Sequence, residues 1–274
     1  MFTLNCKGKL LVIEKPVVMG ILNVTPDSFY PGSRVWGDLL LDRAQTMLEQ
    51  GAAILDIGGQ STRPGSLPVD ESEELQRVVP AIASVCSHFP DCIVSVDTYY
   101  AGVARAAVEA GASIVNDISA GNASANMLST VAALGVPFVV MHMKGMPGDM
   151  QQNPAYEDVC REVLDFFVRK TAECTQAGIH DLILDPGFGF GKTIGHNFEI
   201  LKNLDLFKIL GRPLICGLSR KSTVYRTLGI SPEQALNGTT VLNTLSLANG
   251  AHILRVHDVL EAVEAIRLFS AYSV

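Results

Sequence analysis

Short apolar runs recur along the chain, and each ends in a polar residue or a glycine cluster. Eight stand out: VVMGILNV (17–24), AAILDIGG (52–59), CIVSVDT (92–98), SIVNDIS (113–119), PFVVMHM (137–143), DLILDPG (181–187), PLICGLS (213–219) and HILRVHD (252–258). They are rich in Val, Ile and Leu and mostly do not alternate with polar residues. Parallel strands buried on both faces read this way. Between them lie segments with helical spacing. The clearest covers 70–89, where Asp70 can cap, Glu73 follows three residues on, and Leu75, Val78, Val79, Ile82, Val85, Cys86 and Phe89 form one face. Pro80 interrupts that pattern and is expected to kink the helix. Further helices are expected over 99–110, 123–134, 154–177, 197–210, 231–249 and 259–270. Gly111, Gly135 and Gly178 stand where a helix C-terminus favours glycine.

Eight strand–helix units with no linker or low-complexity segment predict a single domain over residues 1–274, an α/β fold of the (β/α)8 TIM-barrel type. A doubly wound open sheet is the competing arrangement, and the count of eight favours the barrel.

Composition narrows the function. With 274 residues, 48% of them hydrophobic, the chain has material for one large core. The net charge of -7 and the lack of a long basic run argue against a nucleic-acid partner. An anionic ligand would then need local clusters of Arg and Lys. No apolar run approaches the roughly 18–20 residues of a membrane span, and MFTLNCKGKLLVIEKP has only a short apolar patch. A cytoplasmic protein with no membrane partner is expected. The six cysteines form no C-x-x-C pair and read as reduced, mostly buried thiols.

Polar residues gather at the strand ends. Asn23, Asp56, Asp97, Asn116, His142, Asp185, Ser219, Arg255 and His257 all fall at or near C-terminal ends of predicted strands. In a barrel those ends meet at one mouth, where such enzymes hold their active sites. Asp97, Asn116 and Asp185 suit a flat heterocycle with amide and amino N–H groups. The cations Arg220, Lys221 and Arg255, with His257, follow strands 7 and 8, the usual phosphate end of this fold. One stretch, DPGFGFGKT (185–193), imitates a phosphate loop, but the glycine required five residues before Gly191 is Pro186. The stretch is read as a strand exit and its loop, with Lys192 expected to face solvent.

Several motifs carry a family resemblance: MGILNVTPDSF (19–29), LDIGGQSTRPGS (55–66), VSVDT (94–98), NDI (116–118), MHM (141–143), DPGFGFGK (185–192), GLSRKS (217–222) and RVHDV (255–259). In this order they resemble the dihydropteroate synthases, folate-pathway transferases inhibited by sulfonamides, over nearly the whole chain. The resemblance implies condensation of 6-hydroxymethyl-7,8-dihydropterin pyrophosphate with p-aminobenzoate to 7,8-dihydropteroate and pyrophosphate, and a homodimer. It implies that Asp97, Asn116, Met141, Asp185 and Lys221 hold the pterin, and that Asn23 binds Mg²⁺ with the pyrophosphate. Thr62, Arg63, Arg255 and His257 would surround the anion, and Thr62, Arg63, Pro64, Phe190 and Ser222 would shape the p-aminobenzoate site. Asp97, Lys221, Arg255 and His257 form the implied catalytic set.

Gln60 departs from the family, which commonly has Glu there, and YPGSR in loop 1 departs as well. Two other readings stay open: a pterin-dependent methyltransferase, which has no need of STRPGS or SRKS, and a pterin-binding paralogue without synthase activity. At single positions, Asp56 suits loop support as well as substrate contact, and His142 suits packing or a backbone contact. Arg220 is expected in a surface ion pair with Lys221 turned inward. Of Phe188 and Phe190, one should be core and the other pocket wall.

Overall fold

Each of the eight apolar runs forms a parallel strand, and the strands follow one another around a ring. A computed structural model describes residues 1–24, 34–60, 69–145, 150 and 153–273. Two N-terminal strands, β1 (Phe2–Cys6) and β2 (Lys9–Ile13), precede the ring. The ring strands are β3 (Val17–Asn23), β4 (Ile54–Gly58), β5 (Ile93–Asp97), β6 (Ile114–Asp117), β7 (Phe138–Met141), β8 (Leu182–Asp185), β9 (Ile215–Cys216) and β10 (Ile253–Val256). The order is β8-β7-β6-β5-β4-β3-β10-β9, and a parallel bridge from Leu184 to Leu214 brings its two edges together. The fold is the expected (β/α)8 barrel.

Helices cover the ring: α1 (Arg34–Glu49), α2 (Glu71–His88), α3 (Ala101–Glu109), α4 (Met127–Leu134), α5 (Val159–Gln176), α6 (Ile194–Lys202), α7 (Ser222–Leu228), α8 (Leu236–Ala248) and α9 (Val259–Tyr272). Asp70 caps α2 by accepting from Glu73 N, and the helix continues through Pro80. Gly111, Gly135 and Gly178 all have positive φ after their helices, as helix exits require. The aliphatic residues of the helix faces and the outward side chains of the strands form the main core. Among the described residues, no helix is long and apolar enough to cross a membrane. All six cysteines are free thiols, with Cys6, Cys160, Cys174 and Cys216 buried.

Besides the short α7, two elements lie outside the expected ranges. One is α1, whose buried stripe of Leu40, Ala44 and Met47 has the spacing of a helix but a small residue at its centre. The other is the β1–β2 hairpin, which turns at Lys7 and Gly8, both with positive φ. Its Leu4, Cys6, Leu11 and Ile13 pack against one residue from each ring strand, from Met19 to Ile253. That hairpin plugs the barrel's N-terminal end and leaves the opposite mouth for chemistry.

Candidate active site

The strand register sets the polar residues side by side. Asn23 pairs with Gly58, Gly58 with Asp97, and Asp97 with Asn116. Gly58 has no side chain, so its neighbours meet over it. A Cβ there would lie 3.3 Å from Asp97 Cβ and 3.6 Å from Asn23 Oδ1. Farther round, Met141 pairs with Asp185.

Arg255 ties the mouth together. Its Nε donates to Asp56 Oδ2 at 2.6 Å and its Nη2 to Asp97 Oδ2 at 2.6 Å. Asn116 Nδ2 donates to the same Asp56 oxygen at 3.0 Å. Asp56 is fully buried. It therefore anchors Arg255 and Asn116 side by side at the mouth. Burial pulls the Arg255 guanidinium down, but Asp56 and Asp97 outweigh it and hold it charged. One guanidinium shared by two carboxylates neutralises neither fully. Burial pushes Asp97 up to about 7, Arg255 opposes this, and Asp56, Asp117 and Asp185 add to it. Burial raises Asp185 too, with Lys221 and the Gly187 N–H pulling the other way.

Lys221 points into the mouth. Burial lowers it to about 8, with Asp185 as the main opposing charge. Its Nζ donates to Phe188 O at 2.5 Å and stands 4.6 Å from the centre of the Phe190 ring. Arg220 turns outward and bonds both oxygens of Asp258, at 2.9 and 2.8 Å, as expected for the neighbour of an inward lysine. Ser222 opens α7 beside Lys221. His257 Nδ1 lies 3.0 Å from Ser219 Oγ, and that oxygen also accepts from His257 N at 3.2 Å. Phe188 is in the main core, whereas Phe190 forms a separate buried cluster with Ile118, Met141 and Met150. Phe188 thus has the core place expected of one of the pair.

Lys192 is a correction. It does not face solvent: it is 2% exposed. Its Nζ donates to the carbonyls of Gly187 (2.9 Å), Phe190 (3.1 Å) and His142 (3.2 Å) and lies 2.9 Å from His142 Nδ1. The glycines at 187, 189 and 191 all have positive φ, so the loop curls on itself and turns carbonyls inward. Those carbonyls need a donor, and the next side chain supplies it. His142, beside this ammonium, is pushed down to about 3, first by burial and then by Lys192, and is neutral. It has the structural role expected of it.

Gln60 also gains an explanation. Its amide donates to Glu74 Oε2 at 3.0 Å and accepts from the Tyr99 hydroxyl at 3.1 Å. Burial pushes Glu74 up to about 8. A carboxylate at position 60 would set two acids side by side, of which only one could ionise readily, and an amide avoids that competition. Thr62, Arg63 and Pro64 lie outside the described residues. Among those described, Asp158, Cys160 and Glu199 are the set at metal-ligand spacing, and it includes no strand-end residue.

A closed parallel barrel with carboxylates, an amide and cations converging on one mouth defines a TIM-barrel enzyme for a polar heterocycle carrying an anionic group. The pterin-binding enzyme family matches residues 19–257. The dihydropteroate synthase of Escherichia coli K12 is 43% identical over 273 residues, covering 98% of this chain and 95% of the relative. The Yersinia pestis dihydropteroate synthase in a sulfonamide complex superposes with a TM-score of 0.94 at 42% identity, covering 99% of both chains. That of Xanthomonas albilineans with 7,8-dihydropteroate gives 0.89 at 38% identity, again covering 99% of both. The chain belongs to the pterin-binding enzyme family, on its dihydropteroate synthase branch.

Proposed function

We propose that the barrel mouth makes 7,8-dihydropteroate by releasing pyrophosphate first and admitting the amine second. The reaction is that of the family: 6-hydroxymethyl-7,8-dihydropterin pyrophosphate and p-aminobenzoate give 7,8-dihydropteroate and pyrophosphate, so the chain is a transferase of folate biosynthesis. The observation that carries the reading is Arg255 spanning Asp56 and Asp97 beside Asn116. This is a fixed edge of acceptors and donors for the pterin, next to a cation for the leaving group.

Asp97, Asn116 and Asp185 receive the heterocycle's N–H groups, with Lys221 and Met141 completing that end. Arg255, His257 and Asn23, with Thr62 and Arg63 from loop 2, take the diphosphate. As the C–O bond breaks, its electrons leave with pyrophosphate, and the cations stabilise the growing negative charge. The methylene left on the pterin is a delocalised cation, which the Asp97 and Asp185 carboxylates stabilise. p-Aminobenzoate, whose site is assigned to Thr62, Arg63, Pro64, Phe190 and Ser222, then attacks through its nitrogen, which gives up a proton. An aniline needs orientation more than activation, and no nucleophile–base pair is required. The Xanthomonas relative holding 7,8-dihydropteroate supports the substrate pair.

Mg²⁺ fits this mouth. Asn23 Oδ1 is a hard neutral oxygen facing the Asp97 carboxylate across Gly58. Mg²⁺ is commonly held by one or two protein oxygens plus substrate phosphates. When bound there it neutralises charge on the diphosphate. Two further readings complete the proposal. The protein works in the cytoplasm, in keeping with its free thiols. It works as a homodimer, and the exposed Val241 and Leu245 of α8 and Leu268 and Tyr272 of α9 offer an apolar face for a second copy.

The order of steps is tested by isotope scrambling. With the amine omitted, ¹⁸O at the bridging position of the substrate should exchange into the non-bridging oxygens of the same phosphate. Absence of both exchange and any trappable pterin cation would contradict departure before attack.

A further inference from the structure

The loop that follows β8 runs hard against the exit of β7. A Cβ on Gly187 would sit 1.9 Å from His142 O, and one on Gly191 would sit 2.0 Å from Lys144 O. Only bare backbone passes there. Side chains claim the loop's own polar groups in turn. Asp185 Oδ1 takes Gly187 N at 2.7 Å, Asn197 Oδ1 takes Gly189 N at 2.9 Å, and the Tyr156 hydroxyl donates to Gly191 O at 2.8 Å. Lys192 Nζ takes Gly187 O and Phe190 O and, from the same atom, reaches His142 O and Nδ1.

Donor counting identifies the form of this group. An ammonium has three N–H donors and a neutral amine has two. Four polar atoms surround Nζ: His142 Nδ1 and three carbonyl oxygens, which can only accept. The ammonium satisfies the three carbonyls or shares its donors with Nδ1, whereas the amine leaves a buried carbonyl bare. Burial works against the charge and lowers Lys192 to about 7, while Asp185 opposes that shift. A buried cation is an expensive way to close a loop, and a cost of this kind points to a task beyond folding.

We propose that Lys192 is a positioning residue for p-aminobenzoate: by joining Gly187 O and Phe190 O to the β7 exit at His142, it sets the place of the Phe190 ring opposite Met141. Phe190 and Met141 share one buried cluster, and Lys192 links the backbones that carry them. The β7 side belongs to the barrel wall and stays fixed, so loss of the link moves the Phe190 side. Lys192 itself touches no substrate. The role rests on the assignment of Phe190 to the p-aminobenzoate site.

The test is Lys192→Met, which keeps the length and removes the charge, measured beside Phe190→Ala. The KM for p-aminobenzoate should rise about tenfold, the ratio expected for one lost hydrogen bond to a charged group. The KM for dihydropterin pyrophosphate and kcat should stay within roughly threefold, since Asp97 and Asn116 lie on other strands and Asp185 keeps its own bond to Gly187 N. His142→Leu, which keeps the backbone carbonyl and an apolar side chain but removes Nδ1, should shift the p-aminobenzoate KM in the same direction by about fivefold, one ordinary hydrogen bond. A folded Lys192→Met enzyme with an unchanged p-aminobenzoate KM overturns the proposal, whatever its melting temperature. So does an equal loss in both KM values and kcat, which marks a purely structural role. Should Lys192→Met not fold, the His142→Leu result decides by the same criteria. If Phe190→Ala leaves the p-aminobenzoate KM unchanged, the site assignment fails and this role with it. If Phe190→Ala raises that KM and the other variants do not, the positioning role alone fails.

Discussion

Replacing Asp56 with Asn removes one negative charge at the point where Arg255 and Asn116 meet. In the wild type, Asp56 Oδ2 accepts from Arg255 Nε at 2.6 Å and from Asn116 Nδ2 at 3.0 Å, and the side chain has no solvent exposure. Both donors reach the same oxygen, so an amide oxygen in its place can keep both contacts, but not the ionic part of the Arg255 bond. A hydrogen bond between charged groups contributes about 1.5–3 kcal/mol. Arg255 retains Asp97 at 2.6 Å, so the larger penalty of a stranded buried charge is not incurred. The loss should appear as roughly a 10–150-fold fall in kcat/KM for dihydropterin pyrophosphate. A comparable fall is expected in the affinity for a non-reactive pterin by calorimetry. A second signature separates this account from general damage. Asp56 is one of the charges that raise Asp97. Its neutralisation should lower the Asp97 pKa and move the acid limb of kcat/KM to lower pH. A variant with kcat/KM within about threefold of wild type and an unmoved acid limb would refute the reasoning.

Other predictions come from the same geometry. The kcat/KM profile for dihydropterin pyrophosphate should fall below about pH 7 as Asp97 gains its proton, and above about pH 8 as Lys221 loses its own. Both directions follow from burial, and Asp97→Asn should abolish the acid limb; a flat profile from pH 6 to 9 counts against these assignments. Asp185→Asn should weaken pterin binding by about 1.5–3 kcal/mol, since a mixed donor replaces a carboxylate acceptor, and unchanged calorimetric affinity would show that Asp185 is misplaced. Asn23→Ala should raise the Mg²⁺ concentration needed for half-maximal rate without changing p-aminobenzoate KM; an unaltered Mg²⁺ dependence removes Asn23 from the metal site.

What could be read from the sequence was mostly local. Strands buried on both faces leave continuous apolar runs, and a carboxylate or amide at the end of each is visible without coordinates. The hairpin at Lys7–Gly8 was harder. Leu10 and Val12 face solvent and Leu11 and Ile13 face inward, so LLVI looks like one apolar patch instead of an alternating strand. Helix α1 hid behind the small residue in its stripe. At the mouth, residue types were legible but partners were not. Arg255 and Asp56 are 199 positions apart, and only closure of the ring brings them together. Lys192 was misread because a lysine after a glycine-rich loop normally extends into water. Here three residues in the left-handed region turn carbonyls inward, and satisfying them outweighs the hydration of the ammonium. The run of Gly-x-Gly-x-Gly before a lysine is the signal that could have indicated this.

The central claim is that this mouth joins a pterin to an aminobenzoate, and turnover tests it most directly. Purified protein given 6-hydroxymethyl-7,8-dihydropterin pyrophosphate, p-aminobenzoate and Mg²⁺ should release pyrophosphate and 7,8-dihydropteroate in equal amounts. No 7,8-dihydropteroate under those conditions, from folded protein that still binds pterin, would contradict it.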